Sequence, residues 1–131
     1  MAVTTQTHGD VTIVIARDPA LVRTVRLVAA AVARRADCPD TRIEEIRLAV
    51  GEACAVMIGQ EEVGAASEER VDVRLHADTE FAVTVSGRVG EDESGFAEIG
   101  LDPFALLSGL AEELKVTEDD GVTTLRLTWS L

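Results

Sequence analysis

The residue best suited to chemistry in this chain is a single carboxylate set in an apolar stretch. Glu52 lies in the segment IRLAVGEACAVMIG, residues 46–59, where the only other charge is Arg47. Leu48 and Val56 stand one helical turn away on either side. Burial among such side chains raises the pKa of a carboxyl group and suits it to act as a base. The pattern predicts a candidate catalytic Glu52; the alternatives are an exposed Glu on the helix edge, or a carboxylate that reaches a backbone amide.

The cysteines and histidines do not form a pattern typical of a metal site. Cys38 and Cys54 are the only cysteines, and neither belongs to a C-x-x-C pair or stands near a ligand-like His. We therefore predict no metal site. Cys54 is expected to be a small core residue and Cys38 to lie in a loop, with a redox role as the alternative.

The charge balance limits the class of partner. The chain has 24 Asp plus Glu against 12 Lys plus Arg, a net charge of −12, which opposes binding to nucleic acid. No basic segment followed by an apolar one opens the chain, and no apolar run is long enough to span a bilayer. The interpretation is a cytoplasmic protein with protein partners and no membrane contact.

Two helices are predicted in the first half of the chain. VTIVIA, residues 11–16, reads as a strand, and Asp18-Pro19 after it is typical of a helix start over residues 19–35. That helix is amphipathic and basic on its exposed side. Thr41 and Glu44 form a capping-box pattern for a second helix that reaches about Gly59.

The second half predicts strands and one more helix. Residues 71–77 and 81–86 alternate apolar and polar side chains, as half-buried strands do. Residues 60–70 and 87–100 read as loops, residues 101–116 as a helix, and residues 122–129 as a closing strand. The fold class predicted is α+β, a two-layer sandwich of a mixed β-sheet with helices on one face. Residues 11–131 form one domain, after a flexible N-terminus of residues 1–10.

Three segments narrow the choice of fold: RLAVGEACAVMI at residues 47–58, GLAEELKV at 109–116 and GVTTLRLTW at 121–129. With the opening strand and the D-P-A-L-V-R helix start, they resemble the anti-sigma-factor and serine-kinase branch of the histidine-kinase-like ATPases, which have the Bergerat (GHKL) fold. The resemblance spans about residues 11–129. It implies a regulator that binds a sigma factor or a STAS-type anti-anti-sigma protein, and a homodimer.

The same resemblance implies a nucleotide site that has lost most of its motifs. In the family a Glu, base or water-orienter, is followed four residues later by an Asn that holds Mg²⁺; here Glu52 is kept, as a base or a relic, but Val56 follows. The family's Asp-x-Gly-x-Gly corresponds to Gly87-Arg88-Val89-Gly90-Glu91, without the Asp. Gly87 and Gly90 would bind nucleotide only if the site still works.

The phosphate-binding turn also departs from the family pattern. Leu101 and Pro103 stand where glycines belong, and residues 89–114 contain seven acidic side chains but no Lys or Arg. Such a segment repels a triphosphate. We therefore expect no cofactor, with ATP and Mg²⁺ only if the degenerate site remains competent.

Arg23 matches a position at which relatives contact both the sigma factor and its antagonist, and Arg26 lies one turn further on; both are candidate partner-binding residues, although either could be an ordinary surface arginine. The expected function is sequestration of a transcription factor without ATP hydrolysis or phosphotransfer. The alternatives are an active serine/threonine kinase that uses Glu52, and a small-molecule sensor in a remodelled nucleotide pocket. The acidic residues 91–98 could also mimic nucleic acid for a basic partner.

Overall fold

The computed structural model describes residues 2–5, 10–59, 70–88 and 104–131. The strands are β1 (Ala2–Thr5), β2 (Val11–Ala16), β3 (Arg70–Ala77), β4 (Glu80–Gly87), β5 (Glu113–Asp119) and β6 (Val122–Ser130). The helices are α1 (Val22–Arg35), preceded by the 3-10 turn Pro19–Leu21, then α2 (Asp40–Ile58) and the short α3 (Ala105–Ser108). None of these helices is both long and apolar enough to cross a membrane.

The six described strands form one sheet in the order β1-β2-β3-β4-β6-β5. The α+β two-layer class is confirmed, but the prediction of a mixed sheet is wrong because every pairing among these strands is antiparallel. Two helices, α1 and α2, lie between β2 and β3. The first helix leads the chain away from the end of the sheet at which β2 finishes, and the second leads it back there. The next strand then runs opposite to β2.

The core lies between one face of the sheet and the two long helices. Alternate residues of the central strands point inward, and one row across the sheet is fully buried: Ile13, Val73, Val85 and Leu125. From α1 the buried residues are Val25, Ala29, Ala30 and Ala33, and nine residues of α2 are buried. The period-2 and helical patterns of the sequence therefore place the core correctly in these elements.

Three local predictions differ from the structure. The prediction of a helix over residues 101–116 is wrong. Among the described residues of this range, only Ala105–Ser108 is α-helical, and Glu113–Asp119 forms strand β5. Residues 101–103 lie outside the described residues. The spacing of its apolar residues suits a helix, but the residues of β5 instead pair with β6 along their whole length. Asp120 and Gly121, with φ of 56° and 80°, make the tight turn between them.

The other two differences concern chain starts. The prediction of a capping box at Thr41 and Glu44 is wrong, because α2 begins at Asp40 after Pro39 and has no side-chain cap. The Glu44 carboxylate instead pairs with the Arg47 guanidinium at an N–O distance of 2.8 Å. Residues 2–5 belong to the segment that was expected to be flexible, yet they form β1 by pairing with β2. The other residues of that segment before Asp10 lie outside the described part of the chain.

Candidate functional site

A groove of about 350 Å³ lies between the start of α1 and the second half of α2. It contains Glu52, Arg23 and Arg26, which the sequence singles out for separate reasons. The full lining is Pro19, Val22, Arg23, Arg26, Leu48, Gly51, Glu52, Ala55, Ile58 and Gly59. The fold therefore brings the candidate carboxylate and the candidate partner-binding arginines to one surface.

The first turn of the α1 segment places Arg23 and Arg26 at this groove. Asp18 caps the 3-10 turn by accepting a hydrogen bond from the Ala20 amide at 2.9 Å. The apolar residues Val25 and Ala29 face the core, and Arg23 and Arg26 are exposed on the other side of the helix. Helix geometry then puts Arg23 and Arg26 on neighbouring positions of the exposed side.

Gly51 lets the side chain of Arg26 lie across α2. A Cβ atom added to Gly51 would stand 3.0 Å from Arg26 Cδ and 3.6 Å from Arg26 Cγ, so the absence of a side chain makes room for the arginine stem. The stem lies against the backbone of α2 at Gly51, and Arg26 as a whole is exposed. Arg26 therefore crosses the groove at Gly51.

Glu52 is exposed, so it lacks the buried setting that would suit a catalytic base. The core-facing side of α2 carries Ala49, Val50 and Ala53, whereas Glu52 lies on the side that forms the groove wall. None of the described residues donates a hydrogen bond to its carboxylate or pairs with it. The alternative interpretation, a Glu on the exposed edge of the helix, is the one that fits.

Exposed apolar side chains accompany the arginines. Leu48, on α2, lines the groove and is 51% exposed, and Leu27, one turn after Arg23 on α1, is 56% exposed. Neither Arg23 nor Arg26 forms an ion pair with any residue that the structure describes, and α1 has no acidic residue. The surface therefore combines exposed leucines with two cations that lack a described partner.

Two described positions at which the resemblance implies nucleotide contacts, Val56 and Gly87, lack the side chain that the family uses. Val56, where an Mg²⁺ ligand is implied, is partly buried and packs against the core with a hydrocarbon side chain. Gly87, where an adenine-binding Asp is implied, ends β4, and a Cβ there would stand 3.4 Å from the Arg70 carbonyl oxygen. Val56 supplies no oxygen to Mg²⁺, and Gly87 supplies no carboxylate to adenine. Gly90, Leu101 and Pro103 lie outside the described residues.

Arg17 is a buried residue that the sequence analysis did not single out. Its side chain is 5% exposed, and its guanidinium donates hydrogen bonds to the carbonyls of Met57 at 2.8 Å and Ile58 at 3.0 Å. It also donates to the carbonyl of Arg88. Arg17 thereby joins the end of β2, the C-terminus of α2 and the residue after β4. A cation at a helix C-terminus is also favourable for the helix dipole.

The opposite end of α2 is joined to the sheet by an exposed carboxylate. Glu112 accepts hydrogen bonds from the Ser130 amide at 2.9 Å and from Arg42 at 3.0 Å. The hydrogen bonds from Ser130, and then the charge of Arg42, hold the pKa of Glu112 below its ordinary value. The two ends of α2 are therefore attached by side chains of opposite charge.

Both thiols are buried. Burial raises the pKa of Cys54 to about 12, and it raises the pKa of Cys38 against a smaller opposing effect of Arg42. The thiols are therefore protonated at neutral pH, in the form that reacts slowly. The prediction that Cys54 is a core residue is confirmed, and Cys38 lies in the connection between α1 and α2.

Comparison with known proteins places the chain in a family. Residues 15–129 match the family described as histidine kinase-like ATPase domain. The fold is similar to the solved structure of the RsbU and RsbW domains of Rv1364c from Mycobacterium tuberculosis, with a TM-score of 0.68 and 21% identity over 93% of this chain. The match covers 32% of that protein's chain. Comparison of the sequence with curated proteins finds no match. Because the family match spans most of its length, the chain belongs to the histidine kinase-like ATPase domain family.

Proposed function

We propose that this protein is an anti-sigma-factor-like regulator that binds a sigma factor, a STAS-type anti-anti-sigma protein, or both. The observation that carries the proposal is the groove between α1 and α2, lined by Arg23, Arg26 and exposed Leu48, with exposed Leu27 one turn after Arg23 on α1. The structural likeness to a protein with an RsbW domain supports the class of partner. Regulation then occurs by sequestration of the partner.

The groove has the composition of a protein-binding surface. Burying a leucine side chain completely contributes about 1.5–3 kcal/mol, so two half-exposed leucines offer a useful part of a binding free energy. Arginine is common among the residues that dominate such interfaces. A partner helix or loop with apolar residues for Leu48 and carboxylates for Arg23 and Arg26 would match this surface in shape and charge.

The proposed function requires neither ATP hydrolysis nor phosphotransfer. Val56 supplies no oxygen to a hard cation, and Gly87 supplies no carboxylate to a base. Glu52 is exposed in the groove, on the surface proposed for the partner. We therefore propose that Glu52 contacts the partner and does not act as a catalytic base.

The first experiment is a calorimetric titration of the protein, and of its Glu52→Ala variant, with Mg-ATP and Mg-ADP. We expect no binding heat in either case from protein that is folded by circular dichroism. Micromolar binding that depends on Glu52 would contradict the proposal and favour the alternative of a serine/threonine kinase.

The second experiment tests the groove directly. Sigma factors and STAS proteins encoded in the same genome are screened for binding to the protein and to its Arg23→Glu and Arg26→Glu variants. Arg34→Glu is the matched control, because Arg34 is exposed on the same helix but does not line the groove. We expect the first two variants to weaken binding at least tenfold and the control to retain it.

A cytoplasmic homodimer is part of the same proposal. Light scattering after size-exclusion chromatography measures the mass in solution against the 14.0 kDa of one chain. A mass of twice that value is expected. A monomer that still binds its partner through Arg23 would retain the function and remove the dimer from the proposal.

A further inference from the structure

Strand β5 is an edge strand with a regular backbone. It pairs with β6 over all seven of its residues, and no other described strand lies beside it. It contains neither Pro nor Gly, the residues that most often interrupt an edge. Among the described residues, no strand pairs with the side of β5 that faces away from β6. That side is the one considered for pairing.

The turn between β5 and β6 decides which amides point outward. Asp120 and Gly121 both have positive φ, as in the two-residue turns that close on a hydrogen-bonded pair, here Asp119 and Val122. Hydrogen-bonded and non-hydrogen-bonded pairs alternate from there. The backbone N–H and C=O groups of Leu114, Val116 and Glu118 consequently point away from β6.

The described helices leave part of this strand uncovered. Val116 is the next residue of the fully buried row that runs through Ile13, Val73, Val85 and Leu125, and it lies opposite Leu125. Yet Val116 is 44% exposed whereas the other four are 0% exposed. Val116 thus exposes an apolar side chain beside backbone amides that point away from β6.

The charges of β5 select against a second copy of the same strand. Glu113, Glu118 and Asp119 outnumber Lys115, and none of the four forms an ion pair with a described residue. Antiparallel pairing of two β5 strands about Val116 would set Glu113 against Asp119 and Leu114 against Glu118. Like charges directly opposite each other destabilise a strand pair. The edge therefore suits a strand of opposite charge better than itself.

We propose that β5 accepts an extended, basic segment of a partner protein by addition of a strand to the sheet. In antiparallel pairing the segment would have basic residues opposite Asp119, Glu118 and Glu113. It would have an acidic residue opposite Lys115 and apolar residues opposite Val116 and Leu114. The backbone amides supply affinity, and this alternation supplies specificity. The surface is separate from the groove between α1 and α2.

The test uses two synthetic fluorescent peptides. KKTVEVK carries the pattern just described, and EETVKVE has every charge reversed. Fluorescence anisotropy with the whole protein measures binding of both at low salt, where unfavourable pairs are least screened. We expect KKTVEVK to bind at least ten times more tightly. Equal affinity of the two peptides would overturn the proposal.

Hydrogen exchange of the unmodified protein locates the bound peptide. In the free protein the amides of Leu114 and Val116 should exchange rapidly and that of Thr117 slowly, because only the last is bonded to β6. Saturation with KKTVEVK should slow the first two and leave Thr117 unchanged. Protection at another surface, or protection that rises with protein concentration without peptide, would overturn the proposal; the second result would indicate pairing of two copies.

A matched pair of variants completes the test. Val116→Pro removes one outward N–H group without removing a bond to β6, whereas Val116→Thr retains that N–H group. We expect Val116→Pro to weaken binding of KKTVEVK about tenfold or more and Val116→Thr to keep most of it. Equal binding by both variants would contradict pairing through the backbone. If Val116→Pro does not fold, the exchange measurement decides by itself.

Discussion

Arg17 and the pair Arg23 and Arg26 lie within ten residues of one another, yet the structure puts them in opposite environments. Arg17 is 5% exposed and donates to three backbone carbonyls, whereas Arg23 and Arg26 are exposed and pair with no described carboxylate. The same side chain thus supports the fold in one place and is available to a partner in the other. Burial and hydrogen bonding, not residue type, separate the two roles.

The largest expected effect is on stability at Arg17. Arg17→Met should lower the free energy of unfolding by about 3–5 kcal/mol, because it leaves carbonyls at the end of α2 without their donor in a buried position. Denaturant unfolding at pH 7 measures the change. Arg34→Met is the control, and as an exposed substitution it should change stability by about 0.5 kcal/mol or less.

The reactivity of Cys54 reports on the same attachment. Cys54 is fully buried less than one turn before Met57, and burial holds the pKa of its thiol at about 12. It should resist alkylation at neutral pH in the folded protein and react faster in Arg17→Met, where the end of α2 opens more often. Equal alkylation rates in the two proteins would show that Arg17 does not hold this end of the helix closed.

Gly51→Ala sharpens the contrast at Arg26. Alanine favours a helix over glycine by about 1 kcal/mol, and the Arg26 side chain that its Cβ would meet at 3.0 Å is flexible and exposed. We expect unchanged or slightly higher stability in denaturant unfolding, and weaker partner binding because Arg26 is displaced. A loss of more than about 1 kcal/mol would mean that Arg26 is held as firmly as Arg17.

Arg23→Glu should separate binding from stability. Since Arg23 is exposed and has no described partner, its substitution should change the free energy of unfolding by only about 0.5 kcal/mol or less. Partner binding should nevertheless fall as described above. Thermal unfolding alongside the binding titration checks both, and a marked loss of stability would place Arg23 with the structural arginines.

The smallest effect is expected at Glu112, the exposed attachment of α2. Its pKa is lowered from 4.5 in the folded state, so its contribution to stability is present above that value and is lost as the pH falls through the folded pKa. Glu112→Gln should therefore reduce stability at pH 7 and make less difference at pH 3. Glu113→Gln is the matched control, because that side chain has no described partner.

Some residues of the candidate site could be found from the sequence, and others could not. Glu52 was found from its apolar neighbours and from the resemblance, Arg23 from the resemblance, and Arg26 from its place one turn after Arg23; the structure brings all three to one groove. Arg17 was missed because a single arginine after a strand has no distinctive local pattern. The only signal was a charge directly after the apolar run VTIVIA, where the chain leaves the core.

The sequence itself determined the elements whose apolar residues repeat with a period of two or about 3.6. These are strand β2, helices α1 and α2, the β3–β4 hairpin and strand β6. Strand β5 is not among them, because its backbone bonds are made to β6 and its own apolar spacing also suits a helix.

Only the tertiary structure decided which charged residues are buried. Arg17 is enclosed by groups 40, 41 and 71 residues away in the chain. Glu52 is exposed because α1 and the sheet leave its side of α2 uncovered, although its neighbours in the sequence are apolar. Burial depends on which distant elements pack against a residue, and a local pattern contains no information on that.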